Sequence, residues 1–296
     1  MNTRALSGIL LASFSFFLFS LQDASVKWLV AALPVWQVLF VRSVTIFAIC
    51  AAIGRGPGLR RASTSPILKP MLVRNLLLLA AWLSYYTAAR DLGLAELTTL
   101  YYASPIVTTL LAVPLLREVV PPSRWVAVVT GFVGVLIACN IFTNGVGISL
   151  PVYLALQAAV FWGVATILLR KTALEETTLV QMIISSGFLM LFTGVVAPFV
   201  WQSLDLASFA LIVGTGVFAG VAQYALFEGM RRAEVSLLAP FEYTSLIWGF
   251  VLGFLIWNEV PGVNVFVGAA MIISAGLIIV AAERLGQKNM QTTTEA

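Results

Sequence analysis

The chain contains no histidine. That absence removes the commonest general base, proton shuttle and metal ligand at once. It weighs against a membrane-embedded metalloenzyme, and no clustered acid pair offers another hydrolytic centre. Cysteine is scarce too. Cys50 and Cys139 lie in separate apolar stretches and suggest neither a disulfide framework nor a metal site. Charged residues make up only 10% of the chain, against about 25% in soluble domains. Nothing resembles a nucleotide-binding loop, so direct drive by ATP is not expected. No cofactor and no metal are expected either.

What the chain has instead is apolar surface. It is 60% hydrophobic over 296 residues, more than a soluble protein of this length could hide. The solvent is therefore the bilayer, and the expected class is an all-α integral membrane protein. The net charge is +4, but the basic residues cluster at expected helix ends and form no nucleic-acid face. Arg4 followed by an apolar run imitates a signal peptide. The run lacks a clean small-x-small cleavage site and is read as an uncleaved first span.

A span needs about 20 mostly apolar residues. Ten candidates meet that need: 5–32, 35–54, 67–90, 95–117, 122–143, 149–171, 177–201, 205–231, 235–257 and 262–283. Pro34, Pro121-Pro122, the Gly145-to-Pro151 stretch and Pro261-Gly262 mark several joints. The Gly/Pro/Arg/Ser-rich stretch 55–66 reads as a loop, and 286–296 as a disordered cytoplasmic tail. With the N-terminus in the cytoplasm, fourteen of the seventeen Lys and Arg residues fall at inner ends or inner loops, as the positive-inside rule requires. The exceptions are Lys27, Arg42 and Arg90; Arg74 counts among the inner set. Both termini are thus expected inside.

Two stretches echo each other. Tyr86 precedes Ala95-Glu96-Leu97, Tyr102-Ala103-Ser104 and Glu118-Val119; Tyr224 precedes Ala233-Glu234-Val235, Tyr243-Thr244-Ser245 and Glu259-Val260. The Tyr86–Glu96 and Tyr102–Glu118 separations recur in the second set, and only the link from Glu96 to Tyr102 is three residues shorter than its counterpart. Ten spans divide into two sets of five, and an odd number reverses the second copy. The expected fold is therefore two inverted five-helix repeats around a central cavity, 1–145 and 146–285.

These residues resemble the drug/metabolite transporter superfamily in its ten-helix EamA-type form. The resemblance is carried by Leu110–Glu118 and Val251–Glu259, each followed by a Pro-marked turn. Small-residue helices follow, with Gly131-Phe132-Val133-Gly134 and Gly268-Ala269-Ala270. Leu238-Ala239-Pro240-Phe241-Glu242-Tyr243-Thr244 looks like the family's ninth helix. The resemblance implies a cavity surrounded by the first four helices of each repeat. The last helix of each would brace the scaffold or form a dimer contact, giving a monomer or weak homodimer. The aromatic lining is similar to bacterial amino-acid exporters of the YddG type. That implies a bacterial inner-membrane secondary transporter exporting amino acids, aromatic and other apolar or neutral ones among them, by alternating access. Another small metabolite or drug on the same fold, such as a purine, nucleoside or cationic drug, stays open. A passive channel would favour a continuous polar lumen, which bulky aromatics interrupt here.

Tyr86, Tyr102, Tyr224 and Tyr243 fall at depths mirrored by the repeat. Hydroxyl-bearing rings suit a cavity that must hold an apolar group and hydrogen-bond a zwitterion. Trp82, Tyr86 and Arg90 follow at i, i+4 spacing on one helix face. Tyr85, Tyr101, Phe161, Trp162, Phe227 and Trp248 could join that lining, or serve as ordinary packing aromatics. Ionisable groups inside the membrane are costly and so are site candidates. Asp23 could pair with Lys27 four residues on; it reads as an ammonium anchor, a proton carrier or a structural helix-to-helix tie. Arg42 reads as a carboxylate partner or as half of an ion pair with Asp23 or Asp91. Gln22, Gln157 and Gln223 could hydrogen-bond a substrate. Glu242 lies beside Tyr243, just past the helix-disturbing Pro240. Glu118 and Glu259 read as structural span ends, and Glu175-Glu176 as a solvated loop. Pro105 and Pro240 are the expected gating kinks in repeat-equivalent helices, and Gly131/Gly134, Gly216/Gly220 and Gly249/Gly253 the close-approach seams.

Overall fold

The structure, a computed structural model, describes residues 3–104, 107, 111, 122–138, 149–172, 175–232, 244–275 and 277–278. Ten helical segments lie among the described residues, one overlapping each expected span. They are α1 (Thr3–Val30), α2 (Val35–Ser63), α3 (Leu68–Ala88), α4 (Leu94–Tyr101), α5 (Pro122–Ala138), α6 (Leu150–Thr172), α7 (Thr178–Val196), α8 (Leu206–Arg232), α9 (Thr244–Trp257) and α10 (Val263–Ala275). A 3₁₀ turn, Ala197–Phe199, follows α7. No strand occurs among the described residues. Five helices are long and apolar enough to cross a bilayer by length and composition: α1, α2, α6, α7 and α8.

Backbone polarity explains the architecture. Every amide buried in hydrocarbon must be paired internally, and helices do so within one segment. The outer faces are accordingly apolar and exposed, as at Leu10, Ile53, Leu191, Val195 and Leu255. Inside, α1 packs chiefly on α8, α2 on α7, α3 on α6, and α4 on α9. The α5–α10 seam is made by Gly134 and Gly268. A Cβ on Gly268 would stand 2.6 Å from the Gly134 carbonyl oxygen and 2.7 Å from the Ala138 Cβ. The backbones can meet this closely only without side chains there. Asn264 Nδ2 donates to the Ala138 carbonyl at 3.0 Å, hooking the start of α10 to the end of α5.

Two expectations are corrected. The stretch 55–66 is largely helical: α2 runs on to Ser63, broken only at Arg55, whose φ of 49° is left-handed. Pro57 follows the break, where a prolyl ring fits the opening turn of the continuing helix. Ala62 is buried and Arg61 finds an acid, so the piece is anchored. That acid is Glu176, which is buried instead of solvated. Its carboxylate takes Arg61 Nη2 at 2.7 Å and the Ser65 hydroxyl at 2.9 Å. Beside it, Glu228 accepts from Thr178 and pairs loosely with Arg232 at 3.5 Å. These contacts tie one end of the bundle.

The opposite end is tied more tightly. Lys27 Nζ lies 2.9 Å from Glu259 Oε1 and also donates to the Leu92 carbonyl. Glu259 Oε2 accepts the Leu94 backbone N–H at 2.8 Å, at the start of α4. Cβ atoms on Gly93 and Gly253 would each stand 3.2 Å from Glu259 Oε2, so both glycines make room for the carboxylate. Arg90 donates to the Leu33 carbonyl, while Gln37 and Gln202 bond reciprocally through side chain and backbone. Lys27 therefore pairs with Glu259 and not with Asp23, which leaves the aspartate to face inward.

Candidate functional site

Behind the Lys27–Glu259 tie lies a cavity of about 190 Å³, walled by α1, α2, α3, α4, α6, α8 and α9. Helical periodicity selects its lining. On α3 the cavity-facing residues are Arg74, Leu78, Trp82, Tyr85 and Tyr86, the i, i+4 stripe of one face. On α6 they are Trp162, Ala165 and Thr166; on α8, Gln223, Leu226 and Phe227. Tyr85 and Tyr101 meet edge to face at 5.0 Å, and Tyr101 and Trp162 at 5.9 Å, forming an aromatic wall.

A polar chain crosses this wall. The Tyr85 hydroxyl donates to Asp23 Oδ2 at 3.2 Å, and Gln22 Nε2 donates to Asp23 Oδ1 at 3.1 Å. The same Gln22 nitrogen reaches the Tyr86 hydroxyl oxygen at 3.2 Å, and Arg42 Nη1 donates to that oxygen at 3.0 Å. The Arg42 guanidinium stacks over Trp82 at 4.2 Å. No direct ion pair joins Asp23 to Arg42; Gln22 and Tyr86 hold them apart. Gln22 Oε1 and Arg42 Nε have no hydrogen-bond partner, although both residues are buried. A carboxylate and a guanidinium held apart in an apolar chamber, the guanidinium with its Nε unpartnered, can receive a ligand's ammonium and carboxylate.

The expected site residues divide as follows. Gln22, Asp23, Trp82, Tyr86, Tyr101, Tyr102 and Trp162 all line the cavity. Tyr224 does not: it is 50% exposed on the outer face of α8, and its neighbour Gln223 takes the inward position. One residue turns a helix by about 100°, and depth alone did not specify the face. Gln157 accepts a hydrogen bond from the Ser84 hydroxyl at 3.0 Å and braces α6 on α3. Phe161 is half-buried beside it, on a different face from Trp162. Arg90 lies past the end of α3 and off the cavity stripe. Pro105, Pro240, Glu242 and Tyr243 lie outside the described residues. Arg74 is the lining residue that charge counting missed, having placed it with the inner loops. Reading the Trp82–Tyr86 stripe backwards by fours through Leu78 would have found it. Among the described residues no group of His, Cys, Asp and Glu is placed to hold a metal.

Known proteins share both sequence and fold. A riboflavin transporter of Vibrio cholerae is 28% identical over 193 residues, which cover 65% of this chain and 63% of that protein. A pseudopaline exporter of Pseudomonas aeruginosa is 25% identical, over 91% of this chain and 94% of its own. An S-adenosylmethionine uptake transporter of Rickettsia prowazekii is 26% identical, covering 76% and 75%. A solved crystal structure superposes with a TM-score of 0.68 at 19% identity, covering 94% of this chain and 98% of the other, and shares the fold. The family model of EamA-like transporters matches twice, over residues 6–139 and 149–281. This multi-pass membrane chain therefore belongs to the EamA-like transporter family.

Proposed function

We propose that the protein is a bacterial inner-membrane secondary transporter that exports amino acids, aromatic and other neutral ones among them, by alternating access. The observation that carries this reading is the Asp23–Gln22–Tyr86–Arg42 chain. It presents an acid and a base, unpaired with each other, on an aromatic wall. An amino acid supplies the complementary ammonium and carboxylate, and its side chain fits against Trp82, Tyr101 and Trp162. S-adenosylmethionine, named for one relative, also joins an amino-acid zwitterion to a flat ring. A simple cationic drug would find Asp23 but leave Arg42 without an anion.

The packing supports two exchangeable halves. Exchanging α1 with α6, α2 with α7, and so on through α5 with α10, converts the α1–α8 contact into α6–α3. The α2–α7, α4–α9 and α5–α10 contacts map onto themselves. With five spans in each half, 1–145 and 146–285, the second copy enters the membrane reversed. With both termini in the cytoplasm, the Lys27–Glu259 tie lies at the outer end, and the cavity reaches from Asp23 towards the inner end at Arg74 and Phe227. Substrate then loads from the cytoplasm, and breaking the outer tie releases it. Neither step needs a nucleotide. The test is counterflow with purified protein in proteoliposomes across the amino acids. Saturable exchange of neutral amino acids supports the reading, and exchange confined to nucleosides or sugar phosphates refutes it.

A further inference from the structure

We infer that Arg74 is a second anion-binding subsite in the same cavity, so that the preferred substrate carries an acidic group beyond its α-carboxylate. This inference rests on the amino-acid reading above and places amino acids with a second acidic group ahead of the neutral ones.

Arg74 is only 2% exposed, yet it lines the cavity. Its Nη2 donates to Ser185 Oγ on α7 at 2.9 Å, while Nε and Nη1 have no partner. Among the described residues no carboxylate lies within ion-pair reach of it. Among the described residues the other two buried cations, Lys27 and Arg42, are better provided for. Lys27 has Glu259 and the Leu92 carbonyl, and Arg42 has Tyr86 and the Trp82 face. A guanidinium taken out of water without an acid is costly. A guanidinium with Nη2 held by Ser185 and the N–H groups of Nε and Nη1 unpartnered still has donors to offer a carboxylate or phosphate.

Charge balance agrees. Among the described residues the charged lining comprises Asp23, Arg42 and Arg74, one acid against two cations. A neutral zwitterion satisfies Asp23 and Arg42 and leaves Arg74 vacant. A molecule with one ammonium and two acidic groups satisfies all three. Arg74 lies eight residues from Trp82 along α3, about 12 Å of helix rise, with Leu78 between. The two anion sites are therefore separated along an apolar wall, which suits acidic groups at the two ends of a flat or apolar spacer.

The probes are 4-carboxy-L-phenylalanine and its neutral isostere 4-carbamoyl-L-phenylalanine. Both are tested as competitors of counterflow in proteoliposomes, and as ligands in detergent by quenching of intrinsic tryptophan fluorescence. The wild type should take the acid at about tenfold lower concentration than the amide, the gain from a charged hydrogen-bonded pair. Arg74→Gln should bring that ratio close to one. Ser185→Ala, which only frees the guanidinium, should lower it partway and serves if the first variant misfolds. Equal affinity in the wild type, binding of neither probe, or an unchanged ratio in a folded Arg74→Gln protein overturns the inference. Acid-selective binding without flux upholds the subsite and refutes amino-acid transport. Flux of phenylalanine with a wild-type ratio near one does the reverse.

Discussion

The guanidinium of Arg42 lies flat against the indole of Trp82, 4.2 Å from the ring centroid, and so joins α2 to α3 at the cavity wall. The stacking orients the fork so that Nη1 meets the Tyr86 hydroxyl. Removing the indole should loosen the cation without removing it. A cation–π contact of this kind is worth about 0.5–2 kcal/mol. Trp82→Leu should therefore raise the KM for a transported amino acid by roughly 2- to 30-fold. Arg42→Lys should not rescue transport, because a point charge cannot both stack and fork. Initial-rate counterflow measures both.

Tyr86 is the single oxygen that Gln22 and Arg42 share. Tyr86→Phe keeps the ring and deletes that acceptor, leaving an Arg42 N–H and one of the two Gln22 amide N–H groups without it. The cost expected for such orphaned groups is about 1–3 kcal/mol each. Substrate affinity should fall by about tenfold or more, while the folded yield on gel filtration stays close to wild type. Tyr224→Phe, on the outer face, should change neither.

The Lys27–Glu259 pair should hold the cavity closed at its end of the bundle. Its hydrogen bonds involve charged groups, worth about 1.5–3 kcal/mol. Glu259→Gln should shift the population towards the state open at that end by about tenfold or more. The reporter is a Val26→Cys side chain, buried in the core one residue before Lys27, in a background without Cys50 and Cys139. Labelling by a membrane-impermeant maleimide should speed up in the Glu259→Gln protein. Unchanged labelling would show that the pair is scaffold and not gate.

The α5–α10 seam makes a prediction about stability alone. Gly268→Ala places a methyl group 2.6 Å from a carbonyl oxygen and 2.7 Å from the Ala138 Cβ, and neither is the end of a flexible side chain. The helices must separate, at a cost of about 1–3 kcal/mol. A lowered melting temperature in detergent, with an unaltered KM in the surviving protein, is the expected result.

Much of this organisation was legible in the chain because it follows from solvation. The paucity of charge, the spacing of apolar runs and the position of Lys and Arg located ten helices. The i, i+4 stripe on α3 located Trp82 and Tyr86. What escaped was set by tertiary partners. Glu176 reads as solvated until Arg61 and Ser65, more than a hundred residues earlier, fold over it. Lys27 stands one turn from Asp23 but is taken by Glu259, more than two hundred residues away. The sequence echo pairs Tyr224 with Tyr86, yet the rotation of α8 decides which of Gln223 and Tyr224 faces inward. Arg74 looked like a loop cation because charge counting follows position along the chain, whereas its helix carries it into the cavity wall.

The central claim is that Asp23 and Arg42 together receive a zwitterion. Its most direct test is competition in wild-type counterflow between L-phenylalanine and two analogues lacking one charge each, phenethylamine and 3-phenylpropanoate. The account predicts that only the zwitterion exchanges well, with each analogue weaker by about tenfold or more, and that Asp23→Asn abolishes the penalty for omitting the ammonium. If either analogue competes as well as phenylalanine, the acid and the base do not form one substrate site.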